Sequence, residues 1–326
     1  MHLRSRLLGL LSDGKLHSGA ALGNALGVSR MAVCKHLRAL REAGVALEVV
    51  RSKGYRLSGP CELLDRTAIL DGLRPETRAT LGCLEIHQEL DSTSNHLRAR
   101  AQEGAVHGSV CIAEMQHAGR GRHGRCWVSP FGSNLYLSLL WRTELGVSAL
   151  GGMSLATGVG VMQSLHQLGV PHARLKWPND VLVNDAKLAG ILIDVTGEST
   201  GPSSAVIGVG INVRMPVQAA ASIDQPWTDL ASQPGIGALS RNRLASVLLD
   251  HLVAMLRAFD NSGLACCLAD WQHNDALQGR PVELNVAGRP VTGIARGIDD
   301  TGALLLEGDD GQFQRFLAGD IRVRRQ

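Results

Sequence analysis

The sequence predicts a multidomain α+β protein, and three features lead there. Basic charge is concentrated at one end: residues 1–60 hold ten Lys/Arg against three Asp/Glu, a net of +7, and the rest of the chain carries −4. In the middle, strand patterns follow one another without intervening helices, which disfavours a doubly wound parallel sheet and points to a mixed one. Near the C-terminus, short strands alternate with Gly- and Asp-rich turns. At 326 residues the chain exceeds what one core usually holds, so units are expected at 1–60, 80–276 and 277–326, with a linker at 61–79.

The first unit reads as helices and a hairpin. Leu3, Leu7, Leu8 and Leu10-Leu11 mark a short helix ending at Asp13-Gly14, and His17-Ser18-Gly19 opens a second with Leu22 and Leu26 on one face and Gly27 as its stop. Ser29 stands where an N-cap belongs, ahead of a helix through Arg41 with Val33, Leu37 and Leu40 as its apolar stripe. Strands at 45–50 and 55–57 flank Arg51-Ser-Lys53-Gly54. Two helices, a short turn, a basic helix and a basic hairpin make a winged helix-turn-helix, with the helix-turn-helix over about 19–38. In that geometry Ser29, Arg30, Met31, Lys35 and His36 would reach base edges, and Arg51 and Lys53 on the wing would meet phosphate. A three-helix packing module with a solvated basic face is the plainer alternative. The turn, the wing and the +7 balance together favour DNA. Pro60 closes the unit, and 61–79 reads as a short helix and a connector.

In the central region, strands are expected at 84–87, 110–113, 134–140, 173–176, 181–183, 187–195 and 205–210, and helices at 94–103, 151–168 and 241–259. The stretch 196–204 reads as a hairpin loop. After a helical segment near 264–277, five strands within about 50 residues predict a small β-barrel. Arg322, Arg324 and Arg325 read as a solvated tail.

The seven cysteines are scattered with no Cys-x-x-Cys, so neither a disulfide framework nor a structural zinc site is suggested, and a reducing cytoplasm is expected. Cys126 reads as an incidental thiol. No run approaches the ~20 apolar residues of a membrane span, and no membrane partner is expected.

The segment Gly119-Arg120-Gly121-Arg122-His123-Gly124-Arg125, between Gln116 and Trp127, carries the chemistry. Glycines let backbone curl closely around a ligand, and arginines present planar, always-charged forks to phosphate and carboxylate. Formally it matches Gly-x-Gly-x-x-Gly, but the dinucleotide fingerprint needs a helix immediately afterwards. Cys-Trp-Val-Ser-Pro130 follows instead, and no P-loop pattern occurs. Lys176-Trp-Pro-Asn179-Asp180 puts a rigid turn at a strand end, Lys187-Leu-Ala-Gly190-Ile-Leu opens a strand with a cation, and Gly208-Val-Gly210-Ile-Asn212 closes another stripped of side chains. Together these suggest a nucleotide and a carboxylate brought together, with cations relieving their repulsion as an oxygen attacks the α-phosphate. Asp180 is the candidate for holding Mg²⁺.

With Asp91-Ser-Thr93, these motifs occur in the order and approximate spacing of a known family. Over essentially its whole length the chain resembles the bifunctional biotin protein ligases that double as biotin operon repressors, including His17-Ser-Gly19 and Lys53-Gly-Tyr55 in the winged helix. The resemblance implies a catalytic domain like that of class II aminoacyl-tRNA synthetases and an SH3-like C-terminal β-barrel. It implies activation of biotin with ATP to biotinyl-5'-AMP, transfer to a lysine of a biotin carrier domain such as that of acetyl-CoA carboxylase, Mg²⁺ dependence, and adenylate-promoted homodimers on operator DNA. Carried over by motif, Ser92, Thr93, Ser94, Gln116, Gly119 and Gly190 would serve biotin. Arg120, Gly121 and Arg122 would line the biotin and adenylate site, and Lys187 would bridge carboxylate and α-phosphate. Arg125, Asn179, Asp180 and Asn212 would serve phosphates, Mg²⁺ or ribose, and Trp127 would pack on the adenylate. Trp227, in a loop at 214–240, is a candidate to stack on adenine, and His123 stands where relatives often have arginine. Two alternatives remain open: a sensor that keeps the pocket without turnover, and a transferase for lipoate or another acyl carboxylate.

Overall fold

The computed structural model describes residues 3–324 except 43, 44, 46, 58–61 and 238. Pro60 and Arg325 therefore lie outside the described residues.

Helices α1 (Leu3–Leu11), α2 (Gly19–Leu26) and α3 (Arg30–Glu42) pack with the hairpin β1 (Leu47–Val50) and β2 (Gly54–Leu57) around Leu7, Leu11, Leu22, Val33, Leu37 and Leu40. Ser18 caps α2 by accepting from Ala21 N at 3.0 Å, and Gly27 ends it in a left-handed conformation. Gly54 has φ 145°, and a Cβ there would lie 2.1 Å from His17 O, so only glycine lets the wing pair with the segment ahead of α2.

Short helices α4 (Arg66–Asp71) and α5 (Pro75–Thr80) follow, so 62–79 is more structured than one helix and a connector. They lie on α9 (Arg241–Ser262), whose Asn242, Ser246 and Asp250 side chains bond the backbone at Asp65, Ile69 and Arg74. The central domain is a seven-stranded sheet in the order β3 (Cys83–Leu90), β4 (Ser109–Gln116), β5 (Leu135–Thr143), β9 (Ser203–Ile211), β8 (Ala186–Gly197), β7 (Asp180–Val183) and β6 (Arg174–Lys176). Only β3 and β4 run parallel, which gives the mixed sheet that the strand patterns predict. One face packs on α7 (Met153–Gln167) and α9, and the other is covered near β4, β5 and β9 by α6 (Thr93–Gln102). The short helix α8 (Val217–Ala220) sits in the 214–240 loop, and the β8–β9 connection is a hairpin.

The barrel expectation fails. After α10 (Leu268–His273), strands β10 (Pro281–Val286), β11 (Arg289–Ile298), β12 (Leu304–Glu307), β13 (Phe313–Phe316) and β14 (Asp320–Val323) form one open sheet in the order β13-β12-β11-β10-β14. Closure needs the first and last strands to pair, and here β13 and β14 are opposite edges. The SH3-like barrel is therefore replaced by an open antiparallel sheet. Its Val282, Leu284, Leu304, Leu306 and Ile321 bury themselves in the same core as the central domain, so the sheet covers its apolar face without closing on itself.

Candidate functional site

A row of cross-strand partners forms the floor of the site. Lys176 pairs with Asp180, Asp180 with Gly190, Gly190 with Gly210 and Gly210 with Tyr136, across β6, β7, β8, β9 and β5. Partners share a face, so two cation- or acid-bearing positions sit beside two bare ones. The indole of Trp127 fills the trough: a Cβ on Gly210 would lie 2.5 Å from its Cε2, and one on Gly190 3.0 Å from its Cζ3. Above the floor lies a cavity of about 360 Å³ lined from all the sequence motifs and from Asp320 and Ile321 of β14.

At one end, Gln116 Oε1 accepts from Thr93 N at 2.9 Å and Thr93 Oγ1 at 3.2 Å, and its Nε2 donates to Ser129 Oγ at 3.0 Å. Ser94 Oγ meets Ser138 Oγ at 3.1 Å above Gly208, where a Cβ would lie 2.5 Å from that hydroxyl. These polar groups, all buried but the half-buried Gln116, form a small cradle. Ser92 stands outside it: its Oγ caps α6 by accepting from Asn95 N at 3.4 Å. Gly119 lies under the loop, its O accepting from Trp127 N at 2.8 Å, where a Cβ would lie 2.4 Å from Trp127 O. Gly121 and Gly190 both line the cavity.

The glycine- and arginine-rich loop has a single 3-10 turn at Arg122–Gly124, with His123 at φ 55° and Gly124 at φ 72°. No helix follows it before β5, which removes the dinucleotide-fold reading. Arg120 holds Asp194 through both guanidinium nitrogens, at 2.5 and 3.3 Å. Arg125 pairs with Asp320, tying the loop to the C-terminal sheet. Lys187 Nζ lies 2.7 Å from Asp180 Oδ1 and 5.4 Å from the centroid of the Trp127 ring.

Arg122 and Lys176 are different. Among the described residues neither has an acidic partner within ion-pair distance, and Arg122 bonds only weakly to Asn179 Oδ1 at 3.4 Å. Burial lowers the pKa of both cations. Two desolvated positive charges facing one cavity favour an anion strongly, because the ligand would supply what burial has removed. Lys176 and Asp320 were missed as site residues by the sequence reading, as was Asp194. Only Lys176 had a usable signal: as the first residue of Lys-Trp-Pro-Asn-Asp180 it faces the fifth across the turn.

Asn179 bridges the turn to β8, donating from Nδ2 to Ile191 O at 2.8 Å. Asn212 donates to Thr228 O at 3.0 Å, and its Oδ1 is buried with no hydrogen-bond partner among the described residues. Leaving such an acceptor unsatisfied costs about 1–3 kcal/mol, so it reads as an atom reserved for ligand. The 214–240 loop reaches the site too, since Lys187 N bonds Pro226 O, Lys187 O accepts from Thr228 N, and Trp227 lines the cavity. Asp180, a carboxylate lining the cavity, is a hard oxygen donor of the type Mg²⁺ takes, so its chemistry fits that ion.

On the N-terminal unit, Ser29, Arg30, Met31 and Lys35 are exposed, Met31 by 83%, and His36 is half-buried. Ser29 Oγ caps α3 by accepting from Ala32 N at 3.2 Å. Arg51 and Lys53 are exposed on the wing, so all but His36 lie fully open on one small basic unit.

Comparison with known proteins matches the chain to three family models: Biotin/lipoate A/B protein ligase family at 87–212, Biotin protein ligase C terminal domain at 278–324, and HTH domain at 4–56. It is 43% identical over 319 residues to the Bifunctional ligase/repressor BirA of Escherichia coli, covering 98% of this chain and 96% of that protein. It is 41% identical over 244 residues to the Biotin--[acetyl-CoA-carboxylase] ligase of Mycobacterium tuberculosis, covering 73% and 88%. Among solved structures, the biotin protein ligase from Aquifex aeolicus in complex with biotin and ATP superposes with a TM-score of 0.63 at 25% identity, over 76% of this chain and 100% of that one.

Proposed function

The chain belongs to the biotin protein ligase family, in its bifunctional ligase/repressor form, and on that premise we propose how its own residues divide the work. It is a biotin- and ATP-dependent protein ligase and a repressor with an N-terminal helix-turn-helix. The cradle of Thr93, Ser94 and Gln116 takes the polar ring of biotin, whose carboxylate then points to Lys187. ATP lies along Trp127, with Asn179, Asp180 and Asn212 near its phosphates and ribose and Trp227 near adenine. A carboxylate oxygen attacks the α-phosphorus, the bond to the β-phosphoryl oxygen breaks, and pyrophosphate leaves. Lys187, Arg122 and Arg120 hold the negative charge that gathers there. Mg²⁺, held through Asp180, would neutralise further phosphate charge.

Biotinyl-5'-AMP is a mixed anhydride that water destroys, and the 119–125 loop with Arg122 closes over it. A carrier lysine amine then attacks the acyl carbon, AMP departs, and the new amide loses its extra proton to solvent. The proposed acceptor is the biotin carboxyl-carrier domain of acetyl-CoA carboxylase, in keeping with the substrate in the mycobacterial relative's name. On the same reading the adenylate promotes a homodimer that sets two α3 helices on operator half-sites, with Arg30, Met31 and Lys35 at the bases and Arg51 and Lys53 on phosphate. The domain limits of 1–60, 80–276 and 277–326 and a reducing cytoplasm complete the proposal.

The single observation behind this assignment of roles is the pair of half-buried cations, Arg122 and Lys176, that have no acidic partner within ion-pair distance among the described residues and stand beside Lys187 in one cavity. Biotin-dependent ATP–pyrophosphate exchange, with lipoate as the parallel acid, tests it. Exchange with biotin alone is expected. Exchange with lipoate in its place would make another carboxylate the substrate, and none with either, in folded protein with Mg²⁺, would leave a sensor.

A further inference from the structure

On the sheet face covered by α6, four side chains converge that the ligase reaction does not use. Glu85 and His87 alternate along β3, Cys111 is the cross-strand partner of Glu85 on β4, and His96 comes down from α6. Glu85 Oε2 is 3.1 Å from His87 Nε2 and 2.9 Å from His96 Nε2. The ring centroids are 4.6 Å apart, and ligand atoms of His87, His96 and Cys111 lie within 4.8 Å of one another. We propose that Glu85, His87, His96 and Cys111 form a binding site for one divalent transition-metal ion of the zinc class.

The donor chemistry fits. Zinc bonds of about 2.0–2.3 Å would draw the two imidazoles and the thiolate, now within 4.8 Å of one another, to roughly 3.3–3.8 Å, and the Glu85 carboxylate beside both imidazoles would complete a tetrahedral N₂SO set. One thiolate and one carboxylate cancel the +2 charge, so the occupied site is neutral where Cys111 is buried against Leu97, Leu140 and Val206. As the metal–sulfur bond forms, the Cys111 thiol gives its proton to solvent. The imidazoles and Glu85 are partly exposed, which leaves an entry path. Arg100, 3.7 Å from Glu85 Oε1, would hold the second carboxylate oxygen and orient the first. No Cys-x-x-Cys spacing announces the set, because its members come from three elements. The row Glu85–Cys111–Ser138–Gly208 also carries it to the edge of the biotin cradle, so the ion would brace the start of α6 against the sheet.

The test uses the full chain, stripped with chelator and free of ATP, then equilibrated with Zn²⁺ or Co²⁺. One ion per chain is expected, with a thiolate-to-cobalt charge-transfer band in the near ultraviolet and a rise in Tm with Zn²⁺. Cys111→Ser should abolish the band. Because Cys111 is buried, His87→Gln and His96→Gln, at partly exposed positions, provide the second arm and should each lose the band and the Zn²⁺-dependent rise in Tm. Absence of stoichiometric metal in the parent chain, or a band that survives in both histidine variants, overturns the proposal.

Discussion

Lys187 is committed before any substrate arrives, since its ammonium lies 2.7 Å from Asp180 with both side chains mostly buried. Removing it would leave Asp180 facing two further anions with one cation fewer. Lys187→Ala should therefore lower biotin-dependent pyrophosphate exchange by about 100-fold or more, the usual cost of a preorganised charge partner at a reacting oxygen. Exchange at the parental rate would remove Lys187 from the chemistry. Asp275 makes a different kind of prediction. It is 1% exposed, and one carboxylate oxygen accepts from Leu277 N at 2.8 Å. The other has no hydrogen-bond partner among the described residues, and burial pushes its pKa up to about 6. The folded state thus binds a proton that the unfolded state has already released between pH 3.8 and about 6, so this group's contribution falls as pH rises through that window. Denaturant melts of Asp275→Asn and the parent should diverge in the variant's favour by about 3 kcal/mol from below that window to above it, whatever offset the amide adds. A difference independent of pH would mean that Asp275 stays charged when folded. At this scale, the arginine loop and Lys187 were legible because their chemistry lies within single motifs. Asp194 and Asp320 were not, because each meets its arginine only after strands far apart in sequence have been aligned.

The elements show why some of the architecture could be read and some could not. Helix α3 was legible because Val33, Leu37 and Leu40 repeat at helical spacing and Ser29 supplies its cap, both local facts. The mixed sheet followed from strands without helices between them. Closure of the C-terminal strands was misread because spacing and turns are the same for an open sheet and a barrel. What decides is whether β13 meets β14, and the apolar face of this sheet finds the central domain instead. The strand end at Gly208–Asn212 was read as stripped of side chains, and the room left at Gly210, as at Gly190, is held by the indole of Trp127. Gly210 has ordinary backbone angles, so Gly210→Ala strains no turn and its effect falls on the ring, 2.5 Å from the new Cβ. The expected result is an ATP KM raised by about tenfold or more with Tm little changed. An unchanged KM would show that Trp127 gives way freely and does not order the nucleotide.

Across the whole molecule, the ligand loop and the DNA-reading unit share a stretch of chain. Gln116, in the cradle with Thr93, donates from its side chain to Ser129 and from its backbone N to Ser129 O at 3.3 Å. Two residues on, Phe131 is 4% exposed, and it packs in the core of the N-terminal unit with Leu and Val side chains of that unit, alongside Met115. Arg4 of α1 bonds Glu89 of β3, the cross-strand partner of Met115, at 2.5 Å. Ordering of the loop on biotin and ATP would thus act on the seat of the winged helix through a few rigid residues, a coupling free energy of the usual 1–3 kcal/mol between two sites. Phe131→Ala removes the side chain common to both. Adenylation should stay within a few-fold of the parent, because Phe131 does not line the cavity. Binding to a duplex selected from a random pool, followed by fluorescence anisotropy, should lose most of its enhancement by biotin and ATP. If the variant kept the full enhancement, the seat of Phe131 would be packing without a regulatory role.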